Sequence, residues 1–158
     1  MQLTLKTDYA LRILMALAAT DEVLSVEWLA AHYGISRNHL AKVAQELAAF
    51  QLVTTTRGRT GGMRLALSPE DINVGAVVRR FERFESFVAC MGGEEQCPID
   101  GVCGLKPALV GALEAFLTHL DRFTLADIAR RPDAICARLL QEFSQSEPRG
   151  GRSLIQRG

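Results

Sequence analysis

The chain has 158 residues, 48% hydrophobic and 23% charged, with 18 basic and 18 acidic side chains and a formal net charge of zero. This is the composition of an ordinary globular domain long enough to bury a core. It excludes whole-molecule attraction to nucleic acid or a membrane, so any basic surface must be local. No apolar run is long enough to span a bilayer, and the first residues lack the charged, apolar and small-residue regions of a signal peptide. The expectation is a cytoplasmic protein with no membrane partner. In a reducing compartment, clustered cysteines are more often ligands or redox groups than disulfides.

The first helix is expected from Thr7, with Thr7 or Asp8 as its N-cap and an apolar face of Leu11, Leu14, Met15 and Ala18. Ser25 caps a second helix over residues 26–33, which Gly34 ends, and Ser36 caps a third. The third helix buries Leu40, Val43, Ala44 and Leu47 and offers Arg37, Asn38, His39, Lys42 and Gln45 on its other face. Two short helices joined by a tight turn, the second with a polar leading edge, read as a helix-turn-helix. Residues 52–56 are rich in β-branched side chains, residues 57–62 form a glycine-rich turn and residues 63–67 alternate, which together predict a hairpin, or wing. Asn73 caps a fourth helix through Val77, Val78 and Phe81.

Three of the four cysteines, Cys90, Cys97 and Cys103, lie in a glycine-punctuated loop, with six and five residues between them. A loop of this kind can point three sulfurs at one centre. Pro107 then opens a long helix in which Leu109, Leu113, Phe116, Leu120 and Phe123 are spaced as an a/d seam. The seam suggests helix-to-helix dimerisation; its plainer reading is a core helix of the subunit itself. Thr124 and Asp127 have capping-box spacing, residues 132–143 read as a further short helix, and residues 144–158 read as disordered. The fold class is therefore mainly α. Residues 1–83 form a winged helix-turn-helix domain, 84–104 a cysteine loop, 105–131 a dimerisation helix region, and 132–158 a short helix and tail.

Between positions 37 and 64 five basic residues, Arg37, Lys42, Arg57, Arg59 and Arg64, face one acid, Glu46. This stripe covers the third helix and the wing, the two elements such folds present to a duplex. Arg37, Asn38 and His39 are placed to reach base edges in the major groove, and Arg57 and Arg59 suit a minor groove or its phosphates. A solvated face on a protein-interaction module is the bland alternative. For the cysteines, a disulfide framework fits the compartment poorly, and structural zinc prefers shorter gaps. A thiol switch needs only two cysteines. An iron–sulfur cluster tolerates such loop spacings and a non-cysteine ligand, and spacing alone leaves it level with the rest. No serine or cysteine nucleophile can be paired with a histidine and a carboxylate, and no glycine-rich phosphate cradle is present, so the chain does not read as an enzyme.

Four stretches agree in order with one known group: Leu3-Thr-Leu-Lys-Thr-Asp8-Tyr-Ala-Leu-Arg12, Ile35-Ser-Arg-Asn-His-Leu40, Arg57-Gly-Arg-Thr-Gly-Gly62 and Cys97-Pro-Ile-Asp-Gly-Val-Cys103-Gly-Leu-Lys106. On these motifs residues 1–131 resemble the nitric-oxide-sensing repressors of the Rrf-type winged-helix regulator family. The resemblance implies a homodimer whose Cys90, Cys97 and Cys103 bind an iron–sulfur cluster, 4Fe-4S with 2Fe-2S as the alternative. It further implies operator DNA binding controlled by cluster state, with nitric oxide as effector. It also makes Asp8 of the other subunit an oxygen ligand, where the residue by itself reads as an acid complementing a helix dipole. Arg12, one turn on, is placed to pair with it. Cys136, the rival ligand, lies among Ile135, Leu139 and Leu140 and reads as a buried apolar residue. Iron–sulfur-assembly regulators of the same family have a histidine shortly after the third cysteine. Lys106 stands in that region here, and the next histidine is His119. The first cysteine gap is one residue longer than in some relatives.

Overall fold

The computed structural model of the chain describes residues 2–56, 58, 61–84 and 97–145. Among the described residues, seven α-helices, one hairpin and a short 3-10 turn (Pro69–Asp71) occur; the α-helices and strands in order are α1 (Leu5–Ala18), α2 (Val26–Tyr33), α3 (Arg37–Ala49), β1 (Val53–Thr56), β2 (Gly62–Leu65), α4 (Val74–Phe81), α5 (Leu105–Leu120), α6 (Leu125–Ile128) and α7 (Pro132–Gln145). The fold is mainly α, with an antiparallel two-stranded sheet that pairs Val53 with Leu65 and Thr56 with Gly62. No helix among the described residues is long and apolar enough to cross a membrane.

Local chemistry sets most boundaries. The Ser25 side chain accepts the Trp28 N–H to start α2, and Gly34, at φ 63°, ends it in the left-handed conformation that glycine adopts without strain. Asn73 accepts the Ala76 N–H at the start of α4. Thr124 and Asp127 form a reciprocal capping box for α6. Ser36 precedes α3, but its side chain makes no capping hydrogen bond. The cap of α1 is neither Thr7 nor Asp8. Thr4 takes the extended conformation and accepts the Thr7 N–H, so the helix begins at Leu5 and Thr7 falls inside it, fully buried. Ser144 and Gln145, expected in a disordered tail, belong to α7, and residues 146–158 lie outside the described residues.

The main core is built round α1, which packs against α3, α4, α6, α7 and β2. Its deepest side chains are Ala10, Ile13, Leu14, Ala16 and Leu17 rather than a stripe of Leu11, Leu14, Met15 and Ala18. A helix covered on most sides has no single apolar stripe: Leu11, Met15 and Ala18 are half-buried at its edges. Leu40, Val43, Ala44 and Leu47 bury one face of α3, as its periodicity requires. Leu139 of α7 joins this core, so the segment after residue 131 is part of the same packing. A second, smaller cluster joins Val78 of α4 to Leu113 and Leu117 of α5, with Leu3, Leu11, Phe84, Phe116 and Leu120 at its rim. Leu11 touches both clusters and so links α5 to the helix-turn-helix.

Candidate functional site

Burying Leu40 and Leu47 completely turns the other face of α3 outward, and there Arg37, Asn38, His39, Lys42 and Gln45 are all exposed. The face has two flanks. Towards the hairpin a groove of about 510 Å³ is lined by Glu27, Arg37 and Gln45 on one side and Thr55, Gly58 and Gly62 on the other. Towards α1 an apolar hollow of about 240 Å³ is formed by Leu5, Lys6, Tyr9, His39, Lys42 and Val43. Arg64 is exposed on β2, opposite Thr54. Arg57 and Arg59 of the hairpin turn lie outside the described residues.

Two ion pairs shape the charge of this face. Arg37 donates its Nε–H to Glu27 Oε1 at 2.6 Å, tying the start of α3 to the first turn of α2. The Glu27 carboxyl is held below the usual carboxylate range, first by a backbone N–H and then by the Arg37 guanidinium. Glu46, the one acid between positions 37 and 64, is drawn aside by Lys6 of α1 at 2.8 Å. Neither Glu27 nor Lys6 stood out in the sequence, because their partners lie in other helices and no helical spacing marks the pair. Gln45 was visible on the polar face of α3, and its exposure places it among the groups available to a ligand.

The cysteine loop is described from Cys97 onward, and Cys90 lies outside the described residues. The Asp100 N–H donates to the Cys97 carbonyl at 3.0 Å, and the Val102 N–H to the Ile99 carbonyl at 3.3 Å, so two successive turns separate Cys97, which opens the first, from Cys103, which follows the second. Both are free thiols and half-buried, and Cys103 lies two residues before α5. Lys106 Nζ pairs with Asp100 Oδ1 at 3.0 Å and lowers the Asp100 carboxyl pKa. Lys106 thus fastens the turn to the first turn of α5. His119 lies at the other end of α5, edge-on to Phe123 with ring centroids 5.3 Å apart. The donor set of this turn, two soft sulfurs with no disulfide between them, fits an iron–sulfur group.

Asp8 lies half-exposed in the first turn of α1 and pairs with Arg12 at 2.9 Å, one helical turn on. Among the described residues no three His, Cys, Asp or Glu side chains converge on a metal position, so Asp8 is not gathered with Cys97 and Cys103 of its own chain. Cys136 stands apart on α7, half-buried, its thiol donating to the Ala19 carbonyl at 3.1 Å. Of the expected seam, Leu109, Leu113, Phe116 and Leu120 lie on α5, while Phe123 falls beyond its end. Leu113 is buried inside the subunit; Leu109, Phe116 and Leu120 are half-buried.

The sequence profile described as "Rrf2: Iron-dependent Transcriptional regulator" matches residues 3–131. The HTH-type transcriptional regulator NsrR of Bacillus licheniformis is 45% identical over 138 residues, covering 85% of this chain and 96% of that protein. Its namesake in Bacillus subtilis is also 45% identical over 138 residues, covering 85% and 94%. Among solved structures, T. potens IscR superposes with a TM-score of 0.64 at 25% identity, over 85% of this chain and 88% of that one. These relatives are named as transcriptional regulators rather than enzymes, and the match runs through both the helix-turn-helix and the cysteine turn. The chain belongs to the Rrf2 family of transcriptional regulators.

Proposed function

We propose that this regulator is a repressor that binds double-stranded operator DNA as a homodimer and releases it in response to nitric oxide, sensed through an iron–sulfur cluster. The observation that carries the reading is the placing of the cysteine turn. Cys97 and Cys103 are free thiols on the turn that opens α5, α5 packs on α4, and α4 packs on α1 of the reading head. A change at the turn therefore has a packed route to the helix-turn-helix. The NsrR relatives, alike over most of the chain, support the same assignment.

In this reading Arg37, Asn38, His39 and Lys42 enter the major groove, and Arg57, Arg59 and Arg64 of the wing contact phosphates or the minor groove. Cys90, Cys97 and Cys103 hold the cluster, 4Fe-4S in preference to 2Fe-2S, with an oxygen from the partner subunit's Asp8. When bound, the cluster supplies iron that nitric oxide can attack. The protein's own part is to hold the turn against α5 through Lys106 and Asp100, and to present Asp8 from the first turn of α1. Lys106 is engaged with Asp100 where assembly-type regulators have a histidine, which favours the nitric-oxide reading over theirs. Leu109, Phe116, Leu120 and Phe123 form the dimer seam together with the exposed side of α5, and Leu113 supports it from within. In this reading the protein works in the cytoplasm, alongside its DNA.

The energy required is modest. A hundredfold loss of DNA affinity is about 2.7 kcal/mol, and only the difference between two packings of one dimer must change by that much. The test is an anaerobic gel-shift titration of cluster-loaded protein before and after stoichiometric nitric oxide. The expected result is tight binding before and weak binding after; equal affinity in both lanes would sink the sensing role. A visible spectrum of anaerobically purified protein separates a cluster from a zinc- or thiol-stabilised module.

A further inference from the structure

We propose that Glu27 is a specificity-determining residue of the DNA-reading face, acting by holding Arg37 in the pose that reads a guanine. The inference rests on α3 being the recognition helix. Arg37 is the first residue of α3 and is exposed, as is Glu27 in the first turn of α2. The contact between them runs through one guanidinium atom, Nε, at 2.6 Å from Glu27 Oε1. Arginine has five N–H donors, and engaging Nε leaves the four on Nη1 and Nη2. Two of those four, one from each Nη, form the end-on edge that matches the paired O6 and N7 acceptors of guanine in the major groove. An unsupported arginine at a helix start samples many rotamers; one pinned at Nε loses much of that freedom before DNA arrives.

Two further observations point the same way. The pair lines the groove between α3 and the hairpin, the side from which a duplex gripped by both elements would approach. Both side chains are more than half exposed, at 61% and 58%, and a surface ion pair of that kind contributes little to stability. Tethering α2 to α3 is therefore a weak reason for it. A carboxylate facing a phosphate-lined groove also opposes non-specific binding. Glu27 then trades general affinity for discrimination, as specificity devices do.

The experiment uses the full chain, purified anaerobically, and a pool of randomised duplex DNA, with the enrichment of each base at each position read by sequencing. Wild type, Glu27→Ala, Glu27→Gln and Arg37→Ala are compared, each checked by thermal melting. The expected result is that Glu27→Ala and Arg37→Ala lose preference for guanine at the same half-site position, by about tenfold (about 1.4 kcal/mol). Glu27→Gln, which keeps an oxygen acceptor, should lose less. Affinity of Glu27→Ala for a fixed unrelated duplex should be equal or higher. A Glu27→Ala profile identical to wild type at every position, or a uniform loss across all sequences, overturns the role of Glu27. Failure of the wild type itself to enrich any sequence overturns the DNA reading on which the role depends.

Discussion

The fully buried hydroxyl of Thr7 donates to the carboxylate of Glu82, 75 residues away in the chain. The same Glu82 oxygen accepts the Thr4 N–H at 2.7 Å and the Thr4 hydroxyl at 3.0 Å. One carboxylate thus fastens the cap of α1 to the residue that ends α4, a few positions before the cysteine loop. In the proposed repressor, the α1 turn that carries Asp8 and the stem of the loop that carries Cys90 are joined at this point.

Replacing Glu82 with Ala removes the charged acceptor of the buried Thr7 hydroxyl and leaves it only the Thr4 hydroxyl, 3.1 Å away. A hydrogen bond to a charged group contributes about 1.5–3 kcal/mol, so the variant should lose about that much in a denaturant titration. Glu82→Gln, which keeps an acceptor oxygen, should lose distinctly less. Equal stability of wild type and Glu82→Ala would mean that the network is dispensable.

The corner between α4 and α5 admits no extra atom at Gly75. A Cβ there would overlap Asp121 Oδ1 and lie 2.9 Å from the Asp121 backbone nitrogen. Gly75→Ala should destabilise by about 1–3 kcal/mol, as overpacking does, and Asp121→Ala in the same chain should restore only part because the backbone contact remains. Asp121 also pairs with Arg79, whose guanidinium holds the carboxyl below the ordinary aspartate range. A depressed carboxylate pKa contributes stability that is present above the unfolded value and is lost as pH falls through the folded one. Acid melting curves of wild type should therefore fall more steeply in that range than those of Asp121→Asn.

For the wing, the prediction concerns salt. If Arg57 or Arg59 neutralises one phosphate, its replacement by Ala should flatten the slope of log K against log salt by about one unit. Binding that keeps both its strength and its slope would remove the wing from the interface.

Leu113 and Phe116 should separate folding from assembly. Leu113 is 8% exposed against Val78 within the subunit, so Leu113→Ala should cost about 2–5 kcal/mol of stability. Phe116 is half-buried at the rim of that cluster, and in the proposed seam Phe116→Glu buries an unpaired charge between subunits. Sedimentation should then show monomer, and DNA affinity should fall with it. A Phe116→Glu protein that remains dimeric would assign the seam to the subunit core alone.

Rules that act within four residues were legible in the sequence. Ser25, Asn73 and the Thr124–Asp127 pair cap their helices because each needs only a side chain and a backbone N–H one turn away. The buried face of α3 followed from helical periodicity and the hairpin from two strand-forming runs about a glycine-rich turn, and the ordered motifs pointed to the family. Tertiary structure alone decided who meets whom across helices: Glu27 with Arg37, Lys6 with Glu46, Thr7 with Glu82 and Arg79 with Asp121. It also moved the cap of α1 to Thr4, where Glu82 arrives to hold it, and split the α5 seam between a buried Leu113 and half-buried neighbours. Periodicity determines which face of a helix is apolar, but which neighbour covers that face depends on loops whose geometry no local spacing encodes.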